Sequence, residues 1–264
     1  MKQLLKSYLA KVLSLADAFP SRMTDPANVA GLIHRLHPLA TDKPLIRFGP
    51  DEDGGYLIPD DLEGVAACFS PGVSLVSGFE KDCAERGIPV FLADKSVDVP
   101  AEEHELFHFT KKFIGAYSDE NFMTLDEWIG ESLEDKNSDL MLQIDIEGYE
   151  FEAFLSASAD LMKRFRIIVA EFHRLDLLWS EPFFKIANHT FEKLLNTHSC
   201  VHIHPNNCCG SLKQKGMEIP IALEFTFLRN DRIVSSSYQT EFPHPLDYDN
   251  MNMPPMILPK CWHR

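Results

Sequence analysis

The sequence predicts an α/β protein built on one doubly wound parallel sheet with helices on both faces. From about residue 65 onward, short apolar runs alternate with stretches whose apolar residues recur at helical spacing. Such alternation is typical of β-α-β units that share a parallel sheet. The chain has 264 residues, 45% of them hydrophobic, and this is enough apolar material for one large core.

Seven of the apolar runs have the length of strands. They are residues 65–69, 90–93, 105–109, 140–146, 167–172, 201–204 and 222–228. Four helical patterns lie between them, at residues 75–86, 125–132, 149–162 and 183–197. Seven strands with four intervening helices suit an open sheet that is covered on both faces.

The two ends of the chain differ from this pattern. Residues 1–46 are predicted to form an N-terminal helical extension, because apolar residues recur at helical spacing over 4–15 and again over 29–36. Asp25 and Pro26 supply a cap and a first turn for the second helix. These helices either pack on the domain or lie on a membrane surface. Residues 241–264 hold five prolines, so we expect an extended tail on the surface of the main domain, residues 47–240.

Charge and cysteine content exclude several classes of partner. The chain carries 25 Lys+Arg against 40 Asp+Glu, a formal charge of −15, whereas a protein that binds nucleic acid normally has a basic face. No apolar run approaches the length of a membrane span. The six cysteines show no metal-binding spacing, and a bridge between neighbours Cys208 and Cys209 would strain the chain. We therefore expect reduced thiols, a cytoplasmic location and no nucleic-acid partner.

Ligands of an open parallel sheet bind outside the carboxyl ends of its strands. The first predicted strand ends in a turn with a single glycine, Gly72, and the second ends at Asp94, the spacing at which a carboxylate binds ribose hydroxyls. A pyrophosphate needs a glycine-rich loop for close backbone approach, so this turn argues against a dinucleotide. A plain turn with a surface Asp94 is the alternative.

The fourth strand is followed by a cluster of acids. Alternation along the strand places Gln143, Asp145 and Glu147 on one side, so two carboxylates emerge together at its carboxyl end. Helix capping by Asp145, or acids that simply favour the following helix dipole, is the alternative.

Four groups of residues, taken together, resemble the FkbM-like methyltransferases. They are Asp53-Gly54-Gly55-Tyr56-Leu57, Phe69-Ser70-Pro71-Gly72-Val73 with Phe79-Glu80, Ile144-Asp145-Ile146-Glu147-Gly148-Tyr149-Glu150, and His202-Ile203-His204-Pro205-Asn206-Asn207. Their order and spacing agree with that family from about residue 47 to residue 228. Pro71 and the single Gly72 depart from the family's pattern.

The resemblance implies a class I methyltransferase (Rossmann-like) sheet of seven strands, the last one antiparallel, in a methyltransferase domain at 47–240. It also implies S-adenosylmethionine as cofactor and methyl transfer to oxygen, with a sugar, glycan or other small molecule as acceptor. Asp94 would bind the ribose and Asp145 would lie near the transferring methyl group. The cofactor-binding residues implied are Gly54, Gly55, Tyr56, Ser70, Gly72, Asp94 and Asp145. For the loop at Gly54, a hairpin turn is the alternative to a lid over the cofactor.

Two further strand ends supply groups for proton transfer. Glu171 and His173 share one side after the fifth strand, and His202 and His204 share one side of the sixth, so they can converge with Asp145. A hydroxyl that attacks a methyl group must lose its proton, and a histidine near neutral pH can accept it. Either His204 or His173 is the predicted base, with Asp145 or Glu171 orienting it; both histidines could instead be structural.

A divalent metal is the rival to a protein base, because Asp145, Glu171, His204 and Asn206 are acceptable ligands. Trp179, Phe183 and Phe184 could form an apolar acceptor wall or belong to the core. The competing functional classes are a non-catalytic binding module and an NAD-linked oxidoreductase.

Overall fold

The structure is a computed structural model that describes residues 21–73 and 76–263. The helical pattern over residues 4–15 lies outside the described residues. The helices are Pro26–Arg35 (α1), Gly78–Glu85 (α2), Leu125–Ser132 (α3), Glu150–Ser156 (α4), Ala159–Arg164 (α5) and Glu181–Leu195 (α6). The first three strands, which lie outside the central sheet, are Leu39–Thr41 (β1), Leu45–Phe48 (β2) and Tyr56–Pro59 (β3). Those of the central sheet begin with Val65–Pro71 (β4), Val90–Ala93 (β5) and Phe107–Thr110 (β6).

The remaining strands follow in chain order. They are Phe113–Ile114 (β7), Phe122–Met123 (β8), Asp139–Ile144 (β9), Phe165–Phe172 (β10), His198–Pro205 (β11), Ser211–Gln214 (β12), Met217–Pro220 (β13), Leu223–Arg229 (β14) and Ser236–Tyr238 (β15). Short 3-10 turns occur at Leu175–Trp179, Asn230–Arg232 and Lys260–Trp262.

Seven strands form the central sheet in the order β11-β14-β10-β9-β4-β5-β6. Strands β6, β5, β4, β9 and β10 pair in parallel, whereas β14 runs antiparallel to both of its neighbours, β10 and β11. This order and this one reversed strand define the class I methyltransferase sheet, and they confirm the predicted fold. The winding direction reverses between β4 and β9, so the switch point where ligands collect lies at the ends of these two strands.

Most predicted elements coincide with observed ones, and one predicted helix is divided. Residues 90–93 and 125–132 match β5 and α3 at both ends. The helix predicted over 149–162 is two helices, because Ser158 caps the second one: its Oγ accepts from Leu161 N, and Asp126 accepts from Ser158 N. A side-chain cap satisfies the free N–H groups of a new helix start.

The two faces of the sheet pack against different partners. Along β10, Ile168 and Ala170 belong to one apolar cluster together with residues of α1, α3, α4 and α6. Ile167 and Val169 belong to the other cluster, which includes residues of α2 and of the β2–β3 hairpin. Because strand residues alternate between faces, Glu171 emerges on the face that the hairpin covers.

The helix at Pro26–Arg35 packs on the domain. Asp25 caps it by accepting from Ala27 N, as the sequence predicts, and Val29, Leu32 and Ile33 are buried. Strand β1 then pairs with β15. The division of the chain at residues 46 and 240 stays a prediction. None of the helices within residues 21–73 and 76–263 has the length and apolar content that a membrane crossing requires.

The C-terminal tail is extended and packs against the domain. Leu258 and Trp262 are buried, and the Trp262 ring lies 6.0 Å from that of Phe225. Asn250 is buried as well. Large apolar side chains between the prolines outweigh the tail's lack of regular structure, because their burial is strongly favourable.

The cysteines correct one expectation from the sequence. Cys208 and Cys209 form a disulfide between chain neighbours, although the sequence indicates reduced thiols. The turn that carries them is held by Asn206 Oδ1, which accepts from Cys208 N at 2.9 Å. Cys68, Cys83, Cys200 and Cys261 are free.

One carboxylate joins three central strands at the amino end of β9. Asp139 accepts from Arg166 of β10 at 2.7 and 2.8 Å and from Arg229 of β14 at 2.6 and 3.0 Å. Burial raises the pKa of Asp139, but the two guanidinium groups outweigh burial and lower the pKa below its usual value. The folded protein therefore favours the ionised carboxylate.

We expect Asp139→Asn to lower the free energy of unfolding by about 2 kcal/mol at pH 7, because it removes the carboxylate that pairs with buried Arg166 and leaves Arg229 with Asp231 alone. The depressed pKa stabilises the fold above the unfolded value of ~3.9, and this contribution is lost as pH falls through the folded pKa. The difference between wild type and variant should thus shrink below about pH 4. Urea unfolding at several pH values measures it, with exposed Asp60→Asn as control. An equal loss in both variants would contradict the role of these ion pairs.

Candidate active site

A hollow of about 500 Å³ opens at the carboxyl ends of the central strands. Gly72 and Val73 line it from the turn after β4, Asp94 from the end of β5, and Asp145 from the end of β9. The structure thus brings together in one place the three strand ends on which the sequence interpretation depends. Phe113, Ile114, Phe122 and Tyr149 complete an apolar rim.

The turn after β4 requires glycine. Gly72 has a φ of +94°, and a Cβ at this position would lie 1.6 Å from the carbonyl oxygen of Asp145. The two backbones approach this closely because β4 and β9 are parallel neighbours in register. Any side chain on residue 72 would both strain the backbone and separate the two strand ends.

Asp94 has a fixed carboxylate at the middle of the hollow. It is 8% exposed, and its Oδ1 accepts from Ser96 N and Ser96 Oγ, both at 2.6 Å. Such local bonds to the following backbone hold an aspartate side chain in one orientation. The carboxylate is therefore oriented before any ligand binds.

His173 lies among four carboxylates, two of which, Asp145 and Glu147, line the hollow, although His173 itself does not. Its Nδ1 is 3.1 Å from Glu150 Oε1. Its Nε2 lies 3.5 Å from Glu147 Oε2, 3.6 Å from Glu171 Oε1 and 3.9 Å from Asp145 Oδ1. A proton on Nδ1 is donated to Glu150, so Nε2 is the nitrogen that faces the site.

Glu150 organises this end of the site although it does not line the hollow. Its side chain is fully buried, and its Oε1 also accepts from Ile146 N and Gly148 N at 3.0 Å. These bonds close the turn after β9, in which Glu147 has a φ of 55°. The strand ends at Ile144, so Glu147 approaches His173 through this turn and not through strand alternation.

The electrostatics of Asp145 and His173 are coupled. Burial raises the pKa of Asp145 to about 7; the charge of His173 opposes this, and Glu150 and Glu147 add to it. Burial lowers the pKa of His173, but the Glu150 hydrogen bond and the surrounding carboxylates outweigh burial and raise it. Asp145 Oδ1 is buried and has no hydrogen-bond partner among the described residues. His173 Nε2 and Asp145 Oδ1 are 3.9 Å apart, so each group acts on the charge of the other without a direct hydrogen bond.

A row of polar side chains extends from this pair across the sheet. Glu171 of β10 is in register with Glu224 of β14, which is in register with His204 of β11. Burial raises the pKa of Glu171 and also that of Glu224, the latter to about 7, and like charges nearby add to both shifts. Burial lowers the pKa of His204, but the nearby Asp247 and Glu224 carboxylates outweigh it and raise the pKa.

The β2–β3 connection covers this row. Tyr56 is 4% exposed, and its pKa is raised by burial and then by the charges of Asp145, Glu224 and Glu171. Asn250 Nδ2 donates to Asp53 Oδ1 at 3.1 Å and also to Glu224 Oε1. The segment is a hairpin connection, and Gly54, Gly55 and Tyr56 lie outside the lining of the hollow.

Other sequence-predicted residues occupy supporting positions. Ser70 is fully buried, with its Oγ within hydrogen-bond distance of Glu80 Oε1 and Gln143 Oε1, beneath the hollow. His202 Nε2 is 2.9 Å from Asp247 Oδ1 of the tail. Trp179, Phe183 and Phe184 pack against the apolar core, so the structure places none of them in a wall of the hollow.

The family comparison agrees with this geometry. Residues 87–196 match the model of the methyltransferase FkbM domain. The matched stretch contains Asp94, Asp145, Glu171 and His173, and it ends before His204. An FkbM domain supports S-adenosylmethionine-dependent methyl transfer.

Solved structures with some similarity include two methyltransferases. The 1,6-didemethyltoxoflavin-N1-methyltransferase of Burkholderia thailandensis is 11% identical, with a TM-score of 0.33 over 78% of this chain and 79% of that chain. TrmN from Thermus thermophilus is 9% identical, with a TM-score of 0.30 over 63% of this chain and 44% of that chain. No curated protein sequence matches the chain significantly.

Sequence reasoning missed three groups that border the candidate site. Glu224 had a signal, since it is a lone acid within an apolar strand, on the same side as Thr226. Asp247 and Asn250 had none, because only the fold brings the tail to the sheet edge. The sequence could not decide whether His173 or His204 is nearer to Asp145. The structure places His173 beside Asp145, whereas two strands, β10 and β14, separate the strand of His204 from β9.

We expect Gly72→Ala to destabilise the fold by more than the ~1–2 kcal/mol that a left-handed backbone alone imposes on an L-residue, because its Cβ would meet the Asp145 carbonyl. Gly87→Ala is the matched control, since Gly87 has a φ of +76° but open space at its Cβ position. Urea unfolding of both variants separates backbone strain from the steric clash. An equal decrease in the free energy of unfolding of the two variants would show that the close contact with Asp145 does not contribute to stability.

Proposed function

We propose that the protein transfers the methyl group of S-adenosylmethionine to a hydroxyl oxygen of a carbohydrate or another small molecule. The observation that carries this proposal is the single hollow shared by Gly72, Asp94 and Asp145 at the switch point of an FkbM-domain sheet. The shape is that of a site entered from the strand ends, where α/β sheets bind their ligands.

The lining of the hollow suits a sulfonium cofactor better than a dinucleotide. No lysine or arginine is among the lining residues within the described part of the chain, and Asp94, Asp145 and Glu147 are acidic. Acidic groups attract a sulfonium and repel a pyrophosphate. The pre-oriented Asp94 carboxylate would accept from the ribose hydroxyls, and the rim at Ile114 and Phe122 would pack on the adenine.

The acceptor would lie on the other side of Asp145, next to His173. His173 Nε2 is the group we assign as proton acceptor, because Glu150 holds Nδ1 and the ring is oriented towards Asp145. As the hydroxyl oxygen attacks the methyl carbon, its proton passes to Nε2, and the carbon–sulfur bond breaks to leave neutral S-adenosylhomocysteine. Alignment of oxygen, methyl and sulfur can lower the barrier by several kcal/mol.

His204 is less suited to this step. It is 7% exposed and lies beside Glu224, and two strands, β14 and β10, separate its strand from β9, the nearest strand at the hollow. We therefore propose a supporting role for it. The chemistry of the site specifies the acceptor as a molecule with a hydroxyl group that can lie between Asp145 and His173.

Asp94→Asn should weaken binding of S-adenosylmethionine about 10- to 100-fold, because a charge-assisted pair of hydrogen bonds is worth ~1.5–3 kcal/mol. Calorimetric titration of the purified protein measures this. Asp98→Asn, an exposed position with the same change in charge, should bind like wild type. NAD should not bind to wild type, and NAD binding without S-adenosylmethionine binding would contradict the proposed cofactor.

His173→Gln should lower turnover by ~10²- to 10⁴-fold, the usual contribution of a general base, while affinity for S-adenosylmethionine stays near that of wild type. Mass spectrometry of hydroxylated glycans and metabolites incubated with methyl-labelled cofactor first identifies the acceptor and then measures rates. His189→Gln, an exposed histidine of α6, is the control. Full turnover in His173→Gln would remove this residue from the proposed mechanism.

A further inference from the structure

Beyond the hollow, three carboxylates converge beneath the β2–β3 connection. One oxygen from each of Asp53, Glu171 and Glu224 lies within 4.8 Å of the other two. We call these three residues the carboxylate cluster. Glu171 and Glu224 are 3% and 5% exposed, so two of the charges are almost removed from water. Like charges in such surroundings are unfavourable unless a cation or shared protons compensate them.

Neighbouring amides orient this cluster, and the charges of His204 and Arg47 offset part of the charge of Glu224 from beyond ion-pair distance. Asn206 Nδ2 donates to Glu171 Oε1 at 3.0 Å, and Asn250 Nδ2 donates to both Asp53 and Glu224. Amides carry no net charge. Within residues 21–73 and 76–263, no lysine or arginine nitrogen lies within ion-pair distance of the cluster. The arrangement is that of ligands held in place by hydrogen bonds, as is common around metal ions.

Buried polar atoms without partners mark the same place. Asn250 is 5% exposed, and its Oδ1 is buried without a hydrogen-bond partner, although its Nδ2 bridges two members of the cluster. His204 is in register with Glu224; its Nε2 is buried without a hydrogen-bond partner, whereas its Nδ1 lies 3.7 Å from Asp247 Oδ2. Buried polar groups are nearly always satisfied in a folded protein. An amide oxygen and an imidazole nitrogen are also groups that bind metal ions.

We propose that Asp53, Glu171 and Glu224 bind one divalent cation of the Mg²⁺ and Mn²⁺ class. Carboxylate oxygens are the ligands that these hard cations prefer. Metal–oxygen bonds of ~2.1 Å place adjacent ligand oxygens ~3.0 Å apart and opposite ones ~4.2 Å apart, which is close to the spread within the cluster. Asp53 is exposed at the entrance, so the ion has a route from solvent.

The position of this ion deepens the proposed function. Glu171 Oε1 lies 3.6 Å from His173 Nε2, so the cation site adjoins the proposed proton acceptor and lies away from Asp94. A cation there binds an oxygen of the acceptor molecule and makes its hydroxyl more acidic. This role rests on the proposed function, whereas binding of the ion does not.

The test is binding of Mn²⁺ to the full chain after removal of metals with EDTA, measured by electron paramagnetic resonance with no cofactor present. We expect one Mn²⁺ per chain. Asp53→Asn and Glu224→Gln should each weaken binding by at least tenfold. Glu52→Gln, which removes the same charge from the neighbouring exposed position, should bind Mn²⁺ like wild type.

Circular dichroism and thermal melting show which variants fold. If Glu224→Gln misfolds, Asp53→Asn still tests the site, because it changes only an exposed loop position. Mn²⁺ should raise the melting temperature of wild type and leave that of Asp53→Asn unchanged. Absence of Mn²⁺ binding by wild type, or equal affinity in Asp53→Asn, overturns the cation site. Calorimetric titration of the same wild-type sample with S-adenosylmethionine tests the proposed function separately, since each result can fail alone.

Discussion

The site depends on the contact between the Gly72 backbone and the carbonyl of Asp145. Parallel pairing of β4 with β9 brings these two strand ends together, and a residue without Cβ lets them touch. This contact fixes where the turn after β4 ends and where the acids after β9 begin. A wider separation would open the bottom of the hollow and move Asp145 relative to Asp94. The sheet register therefore sets the geometry of the site before any side chain contributes.

A second constraint acts through Glu150. Its buried carboxylate closes the turn after β9 by accepting two backbone N–H groups, and the same oxygen contacts His173 Nδ1. Charge-assisted bonds of this kind are stronger than neutral ones. Glu150 Oε1 therefore links the turn that carries Asp145, directly after β9, to the orientation of His173, which follows β10. Loss of this carboxylate would affect loop and ring together.

The sequence predicted the fold well because its strands are apolar runs bounded by clear breaks, as at β5 and at α3. It predicted Asp94 and Asp145 because chain order places carboxyl ends of parallel strands at one edge. It could not predict the role of Asn250, since nothing local indicates that a proline-rich tail returns to the sheet. It could not rank His173 against His204 either, because strand order across the sheet, with β14 inserted between β10 and β11, is a tertiary property.

The buried acids show how function and stability oppose each other in this protein. Asp139, at the amino end of β9, is matched by two guanidinium groups, and its pKa is lowered. At the carboxyl end of the same sheet Asp145, Glu171 and Glu224 lack such partners, and burial raises their pKa values. Ionised carboxylates therefore stabilise the fold at the amino end of the sheet and destabilise it at the carboxyl end. Unmatched charge of this kind is tolerated where a ligand supplies the missing partner, and in this sheet it occurs only beside the hollow among the described residues.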